Sequence, residues 1–429
     1  MSTETSTPEA TGPIRLARRA AQVPPSATAA LDAQAKALIA RGVDVINLTS
    51  GEPAFPTVEP AAHAALEAIA TDFTRYTPAA GIPELRAAAA DFVNRHGTAY
   101  EPGQVVITAG AKQALHYAFT TLIEPGDEIL IPAPYWVSYP HLAALAGGTL
   151  VPVQPAPDAG LKVTADQLRA AVTDRTRVLL LNNPANPSGV VHDRTELAAL
   201  VQVAIDHDLA IISDEICDHW VFGETAHVSV AALGPEAAER TLTIGGVSKT
   251  FAMTGWRIGW VAAPTPVAAA ITAIQSHTAS APSSISQQAA LGALTADLTT
   301  ELERRRHELN DRRLTTIKAL ADIPGIKVDG DPTGTFFLLA DVSGTYGRTL
   351  AGRTITSAAD FAELLLTEAN VAVVPGADFA APHHVRISYT VPPDRLEEAL
   401  TRIAGCVEDF DPAAERVLGQ VRGVCETSP

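Results

Sequence analysis

The feature that most constrains the fold is a series of short, nearly continuous apolar runs separated by a helical pattern. Residues 177–182 and 209–213 have the composition of parallel strands that are buried on both faces. Residues 194–206, between them, repeat their apolar side chains at helical spacing. Alternation of this kind predicts a three-layer α/β/α domain around a mostly parallel sheet.

The rest of the chain extends this pattern and then changes character. Three further strands and a helix are expected in the first half, at residues 105–108, 128–132, 149–153 and 111–123. A long charged helix at 302–320 can link two lobes, and strands at 334–339, 371–376 and 384–389 predict a smaller α+β domain. The predicted division is a disordered leader (1–12), an N-terminal arm with part of the small domain (13–58), a large domain (59–300) and a small C-terminal domain (301–429). A short helix is expected at 413–424.

Composition excludes several classes of partner. The chain has 429 residues, 47% of them hydrophobic, which is enough for two lobes. Its formal charge of −17 argues against nucleic acid or an anionic membrane as the main partner. The three cysteines follow neither a disulfide nor a zinc spacing, so we expect a reducing cytoplasm and no metal site. The leader lacks the apolar region of a signal peptide, and no apolar stretch is long enough for a membrane span.

One lysine lies where a reactive amine is expected. Lys249 follows the apolar run 241–244, and Arg257 lies eight residues further on. A lysine reacts as a nucleophile when its surroundings lower its pKa or a carbonyl traps it. A Schiff base beside an anchored phosphate would use both residues, and pyridoxal phosphate (PLP) supplies the carbonyl and the phosphate. The alternative is a surface loop with two ordinary basic residues.

Two other strand ends carry polar groups suited to such a ring. Asp214 follows a buried run and is expected at the carboxyl edge of the sheet, where it can keep a pyridine nitrogen protonated. Asn186 lies in a turn, residues 182–189, that two Asn-Pro steps and a glycine make rigid. The alternatives are an exposed strand-end acid and a plain connecting loop.

Three more segments complete the predicted site. Gly110, Ala111 and Lys112 open a helix whose free N–H groups can bind a phosphate. Trp136 can stack on a planar ring, and Arg386, in the middle of a strand, can pair with a substrate carboxylate. The alternatives are a helix start without a ligand, core packing and an internal salt bridge.

Together these segments resemble fold-type I PLP enzymes of the class I/II aminotransferase family, and among them the bacterial aspartate/prephenate aminotransferases. The resemblance extends from about Arg15 to Asp409. It rests on the motifs Ser-Gly-Glu-Pro (50–53), 76–86, Tyr135-Trp136, Asn-Pro-Ser-Gly (186–189), Ser-Asp-Glu (213–215), 248–260, Pro375-Gly376 and 385–389.

The resemblance implies a role for each matching residue. It implies a PLP-dependent aminotransferase acting on an L-amino acid, dicarboxylic like aspartate or glutamate, and a 2-oxo acid. It also implies a homodimer whose two subunits share each active site. The implied catalytic residues are Lys249 and Asp214; the cofactor contacts are Gly110, Ala111, Lys112, Trp136, Asn186, Asp214, Cys217, Ser248, Lys249, Arg257 and, from the second subunit, Tyr76; the substrate contacts are Gly51, Lys112, Trp136, Asn186 and Arg386.

Three departures from the family pattern leave the chemistry open. Cys217 stands where the family usually has a tyrosine that donates to the ring oxygen O3′, and a thiol is a weak donor; alternatively, it only fills an apolar gap. Gly246 replaces a serine that contacts the phosphate, and His277 is unexpected in a loop that reaches the second subunit.

These departures motivate a second hypothesis, a non-transaminating PLP enzyme of specialised metabolism that performs γ-elimination or γ-replacement on S-adenosylmethionine. A third class, regulators that keep the fold, usually carries a fused DNA-binding domain, for which the leader is too short. The sequence names neither the amino donor nor the acceptor.

Overall fold

A computed structural model of the protein describes residues 27–411 together with the short pieces 16–17, 20 and 23–24. The predicted leader and the predicted helix at 413–424 lie outside the described residues. The strands are β1 (Ile46–Asn47), β2 (Val105–Thr108), β3 (Glu128–Pro132), β4 (Thr149–Val153), β5 (Thr176–Asn182), β6 (Ala210–Asp214), β7 (Thr241–Gly246), β8 (Gly259–Ala262), β9 (Lys327–Val328), β10 (Phe337–Asp341), β11 (Thr349–Leu350), β12 (Arg353–Thr354), β13 (Val371–Ala372), β14 (Val374–Pro375) and β15 (His384–Ser388).

Five of the thirteen described α-helices lie between strands of the larger sheet, three precede β2 and five follow β8. They are α1 (Ala27–Ala40), α2 (Glu59–Ala70), α3 (Pro83–Asn94), α4 (Ala111–Leu122), α5 (Tyr139–Ala146), α6 (Ala165–Ala171), α7 (Arg194–Asp206), α8 (Pro235–Ala238), α9 (Thr265–Thr278), α10 (Ser284–Thr295), α11 (Thr299–Ala321), α12 (Ala358–Glu368) and α13 (Pro393–Glu408). No helix of the described ranges is long and apolar enough to cross a bilayer.

A seven-stranded sheet forms the large lobe, in the order β2-β8-β7-β6-β5-β3-β4. Strand β8 is antiparallel to both of its neighbours, and the other pairings are parallel. The predicted mostly parallel sheet is therefore confirmed. The apolar runs of β5, β6 and β7 are buried because helices cover both faces of the sheet.

Local sequence explains how the helices of this lobe begin. Asp193 and Glu196 form a capping box in which each side chain accepts from the backbone N–H of the other, so α7 starts at Arg194. Helix α4 differs, because its N-cap is Gly110, with a φ of 86° and no side-chain cap. The first N–H groups of α4 are therefore left without a side-chain acceptor from the N-cap.

The small lobe is built around an antiparallel sheet in the order β14-β15-β10-β9, and strand β1 from the N-terminal segment pairs in parallel with β13. The predicted long charged helix is α11, from which Arg306 and Arg312 donate to the carbonyl oxygens of Val221 and Thr390. The strand expected at 334–339 begins only at Phe337, because Thr335 has a φ of 62° and breaks the extended run. The domain boundaries given above remain a prediction.

Candidate active site

A cavity of about 450 Å³ opens at the carboxyl edge of the large sheet, against the small lobe. Strands β5 and β6 end there side by side, with Asn182 paired to Asp214 in register. Strand β7 ends next to them and leads into Ser248 and Lys249. Parallel topology thus brings together strand ends that are far apart in sequence.

Lys249 points its amine into this cavity. Its Nζ donates to the carbonyl oxygen of Gly51, 2.5 Å away. Burial lowers the pKa of Lys249, and the charges of Arg386 and Arg257 lower it further. The amine is therefore easier to deprotonate than an exposed lysine, as a nucleophile and proton carrier requires.

Asp214 is a buried carboxylate, with 3% of its surface exposed. Its Oδ2 accepts from the hydroxyl of Tyr139 at 2.8 Å, and its Oδ1 accepts from the N–H of Ile216 at 3.2 Å. No salt bridge to Asp214 is present among the described residues. Burial raises the pKa of Asp214 to about 6, so at neutral pH this acid is mostly ionised and would be stabilised by a cation.

A cradle for an anion lies at the start of α4. Arg257 packs its guanidinium against Gly110, where an added Cβ would lie 2.3 Å from Nη2. A Cβ on Gly259 would lie 2.4 Å from the nitrogen of Ala111, so only glycine lets these backbones approach. Arg257 itself has a φ of 57°, unusual for a residue with a side chain. The uncapped N–H groups and the arginine together suit a phosphate.

Trp136 and Lys112 form one wall of the cavity. Trp136 is half-buried, and its ring meets Tyr139 edge to face, with centroids 5.4 Å apart. The Nζ of Lys112 lies 4.8 Å from the centre of the Trp136 ring. Burial and the nearby charge of Arg257 lower the pKa of Lys112. This wall offers an aromatic edge and a cation.

Arg386 lies in β15, as predicted, and its side chain is buried beneath the cavity. Its Nη2 donates to the carbonyl oxygen of Thr49 at 2.9 Å and its Nη1 to Oδ1 of Asn186 at 3.3 Å, while Nε has no partner among the described residues. Phe337 and Phe379 lie against the guanidinium, 4.3 and 5.1 Å from its carbon. Burial lowers the pKa of Arg386 to about 9. No internal salt bridge occupies it in the described part of the chain, so it is free to bind a carboxylate.

The departures from the family pattern have structural counterparts. Cys217 borders the cavity and also packs into the small-lobe core, and burial raises the pKa of its thiol to about 12, so it stays protonated. A side chain at Gly246 would collide with Gly259, since its Cβ would lie 2.9 Å from the Gly259 Cα. His277 lies in the last turn of α9 and is exposed.

Tyr76 is the one predicted residue that lies away from the others. It is 97% exposed and does not border the cavity of its own chain. Gly110 does not border the cavity either, but contacts it through Arg257. All the other predicted residues border the cavity, namely Gly51, Ala111, Lys112, Trp136, Asn186, Asp214, Cys217, Ser248, Lys249, Arg257 and Arg386.

Several cavity residues were missed by sequence reasoning. Tyr139 donates a hydrogen bond to Asp214. The sequence signal for Tyr139 was its position after Trp136 in the same aromatic segment. Asp32 and Lys36 of α1 border the cavity too, and an acid–lysine pair four residues apart on a helix was the only signal. Glu52 and Thr254 lie within motifs of the resemblance but were given no role, and Phe337 had no signal that separates it from an ordinary core residue.

Comparison with known proteins agrees with this geometry. Residues 43–403 match the family described as aminotransferase class I and II. An aspartate aminotransferase of Bacillus sp. (strain YM-2) is 40% identical over 389 residues, covering 90% of this chain and 98% of the relative. An aspartate/prephenate aminotransferase of Cereibacter sphaeroides is 43% identical over 386 residues, covering 89% and 96%.

Solved structures give the same result. The aspartate aminotransferase of Rhizobium meliloti superposes with a TM-score of 0.88 at 37% identity, over 93% of this chain and 100% of that one. The Thermus thermophilus enzyme with maleate superposes with a TM-score of 0.86 at 40% identity, over 92% and 100%. The chain therefore belongs to the class I and II aminotransferases and has the fold-type I architecture.

Within that family it is a PLP-dependent aminotransferase that transfers an amino group between an amino acid and a 2-oxo acid. The residues present fit the cofactor. The buried acid Asp214 has no salt bridge in the described chain, and the glycine-lined start of α4 is open beside Arg257. The comparisons do not support the S-adenosylmethionine hypothesis.

Proposed function

We propose that this aminotransferase acts on a dicarboxylic L-amino acid such as aspartate or glutamate, with a 2-oxo acid as acceptor. The observation that carries the proposal is the charge of one cavity. Five cationic side chains border it, Lys36, Lys112, Lys249, Arg257 and Arg386, against three acidic ones, Asp32, Glu52 and Asp214. This excess of cations, in a chain of net charge −17, favours an acidic ligand. Several similar proteins are named aspartate aminotransferases.

Within this proposal PLP supplies an aldehyde for the substrate amine and a ring that accepts an electron pair from Cα. Arg257, Ser248 and the N–H groups of Ala111 and Lys112 would hold the phosphate. Asp214, oriented by Tyr139, would keep a proton on the ring nitrogen. Trp136 would pack on the ring, and the resemblance assigns the contacts to its hydroxyl to Asn186 and Cys217.

The remaining residues act on the substrate. Arg386 binds the α-carboxylate, and Gly51 and Asn186 border the same position. Fixing the carboxylate orients the Cα–H bond, and orientation alone can lower a barrier by several kcal/mol. Lys249 Nζ would take the proton from Cα, which its lowered pKa permits, and would deliver it to the carbon that supplied the aldehyde.

The proposed assembly is a homodimer that shares its two sites. Tyr76 is 97% exposed, and three apolar side chains within ten positions of it in the sequence, Leu66, Ile69 and Phe73, are exposed too, as surfaces that a second subunit would cover. In the dimer Tyr76 would reach the partner's phosphate site. A cytoplasmic location agrees with Cys217 and Cys406, both buried and unbridged.

The test is an assay of purified protein loaded with PLP. With L-aspartate and 2-oxoglutarate we expect glutamate to form, and with 2-aminobutyrate in place of aspartate much less. PLP-loaded protein that forms no glutamate from aspartate and no aspartate from glutamate and oxaloacetate would contradict the proposal. A parallel incubation with S-adenosylmethionine checks the other chemistry, because γ-elimination releases methylthioadenosine.

A further inference from the structure

A polar chain connects the α-carboxylate site to the outer wall of the cavity. Arg386 donates to the carbonyl oxygen of Thr49 at 2.9 Å. The N–H and hydroxyl of Thr49 donate to Oδ1 of Asn47 at 3.0 and 2.7 Å. Asn47 donates to Oδ1 of Asp32 at 2.8 Å, and Lys36 Nζ lies 2.7 Å from Oδ2 of the same acid.

Every contact in this hydrogen-bonded series is short, so the series gives the amine of Lys36 a defined position relative to Arg386. Helix α1 is further anchored by Ala35, which packs with Val45, Leu366 and Ala372. Leu31, one turn earlier, packs against the cluster of Val137, Val374 and Phe379. The helix therefore presents Asp32 and Lys36 to the cavity from a fixed base.

The amine of Lys36 has capacity for a second acid. An ammonium group has three donors, and Asp32 is its one salt-bridge partner among the described residues. Asp32 in turn shares its charge with the amide of Asn47. Asp32 and Glu52 raise the pKa of Lys36, so the amine is fully charged at neutral pH.

Three other cations of the cavity have tasks deeper inside it: Arg257 at the phosphate, Lys249 at the reacting carbon and Arg386 at the α-carboxylate. We propose that Lys36 is a specificity-determining residue that binds the side-chain carboxylate of the substrate together with Lys112, and that Asp32 is its positioning residue. This inference rests on the proposed function and deepens it. Arg386 and Lys36 would bind the two ends of one dicarboxylic substrate, so recognition depends on the distance between its two acids.

The experiment compares matched substrates and matched variants of the PLP-loaded enzyme. L-aspartate and L-2-aminobutyrate differ in the distal carboxylate and not in the α-carboxylate. We expect Lys36→Met to raise KM for aspartate by about threefold to fivefold, the range of an exposed ion pair, and to leave kcat/KM for 2-aminobutyrate within about twofold. Lys36→Arg should restore most of the aspartate KM, and Gln34→Met, on the solvent face of the same helix, should change neither value.

Asp32 is tested by its isostere. Asp32→Asn keeps an acceptor for Asn47 but releases Lys36, so KM for aspartate should rise less than in Lys36→Met, with kcat unchanged. An equal rise for both substrates in Lys36→Met would show a structural role and overturn the proposal. So would an unchanged aspartate KM.

Binding of succinate separates this inference from the proposed function. Succinate has two carboxylates and no amine, so its dissociation constant, measured by calorimetry, needs no turnover. Succinate binding that is weaker in Lys36→Met than in wild type, with butyrate binding equal in both, would support Lys36 even if aspartate were not the amino donor. Equal succinate binding in both proteins would overturn it.

Discussion

The charged groups at the floor of the cavity are buried, whereas those at its rim are more exposed to water. The floor, Asp214, Lys249 and Arg386, holds ionisable groups whose pKa values burial shifts, and Asp214 and Arg386 are each only 3% exposed. At the rim, Asp32, Lys36 and Glu52 are more accessible, and the Lys36 side chain is 66% exposed. Burial makes each floor charge costly to leave unpaired, whereas water screens the rim. The floor therefore suits chemistry and the rim suits discrimination among substrates.

The largest expected effect belongs to Lys249. Lys249→Ala should reduce kcat by at least about a thousandfold, because the other lysines that border the described cavity, Lys36 and Lys112, have other roles in the proposal. The measurement is single-turnover transfer from aspartate in PLP-loaded protein, with Lys36→Met as a rim control. Turnover of Lys249→Ala near the wild-type rate would contradict the catalytic role of the cavity floor.

Next is Arg386, the buried cation of the floor. Arg386→Leu should lower kcat/KM for aspartate and for 2-aminobutyrate alike, because both substrates lose the partner of their α-carboxylate. The decrease should correspond to about 2–5 kcal/mol of transition-state binding free energy. Lysine should not rescue it fully, since an ammonium cannot make the two-pronged contact of a guanidinium. A loss confined to aspartate would instead assign Arg386 to the distal group.

Asp214 gives the floor a pH dependence. Its pKa of about 6 means that the charge facing the ring nitrogen is lost as pH falls through 6, so PLP affinity should weaken there. The hydrogen bond from Tyr139 lowers that pKa, so Tyr139→Phe should raise it and move the midpoint to higher pH. Titrating PLP dissociation against pH tests this, and Asp214→Asn should flatten the profile in the same range. A midpoint that Tyr139→Phe leaves in place would contradict the assignment.

The smallest effect is expected at the rim. Raising ionic strength from low salt to about 0.5 M should roughly double KM for aspartate and spare 2-aminobutyrate, because exposed charges are screened. In Lys36→Met the aspartate KM should respond less to salt than in wild type. Equal salt sensitivity of the two proteins would place the selectivity elsewhere.

How far the sequence could predict the site follows the same division. The floor residues follow apolar strands or lie within them, and parallel strands end at one edge, so Asp214, Lys249 and Arg386 could be chosen from pattern and resemblance. Tyr139 and Asp32 could not be assigned, because an aromatic residue and a helical acid have many roles. Their contacts with Asp214 and Asn47 join residues from separate elements.

The sequence by itself determined the alternation of strands and helices, the lysine after β7 and the family, because these depend on local composition and on motifs within a few residues. The tertiary structure alone decided that Asn47 and Thr49 join Asp32 to Arg386, and that Gly246 has no room for a side chain. The physical reason is that such contacts join segments up to 337 positions apart, and their distances are set only when both lobes pack around one cavity.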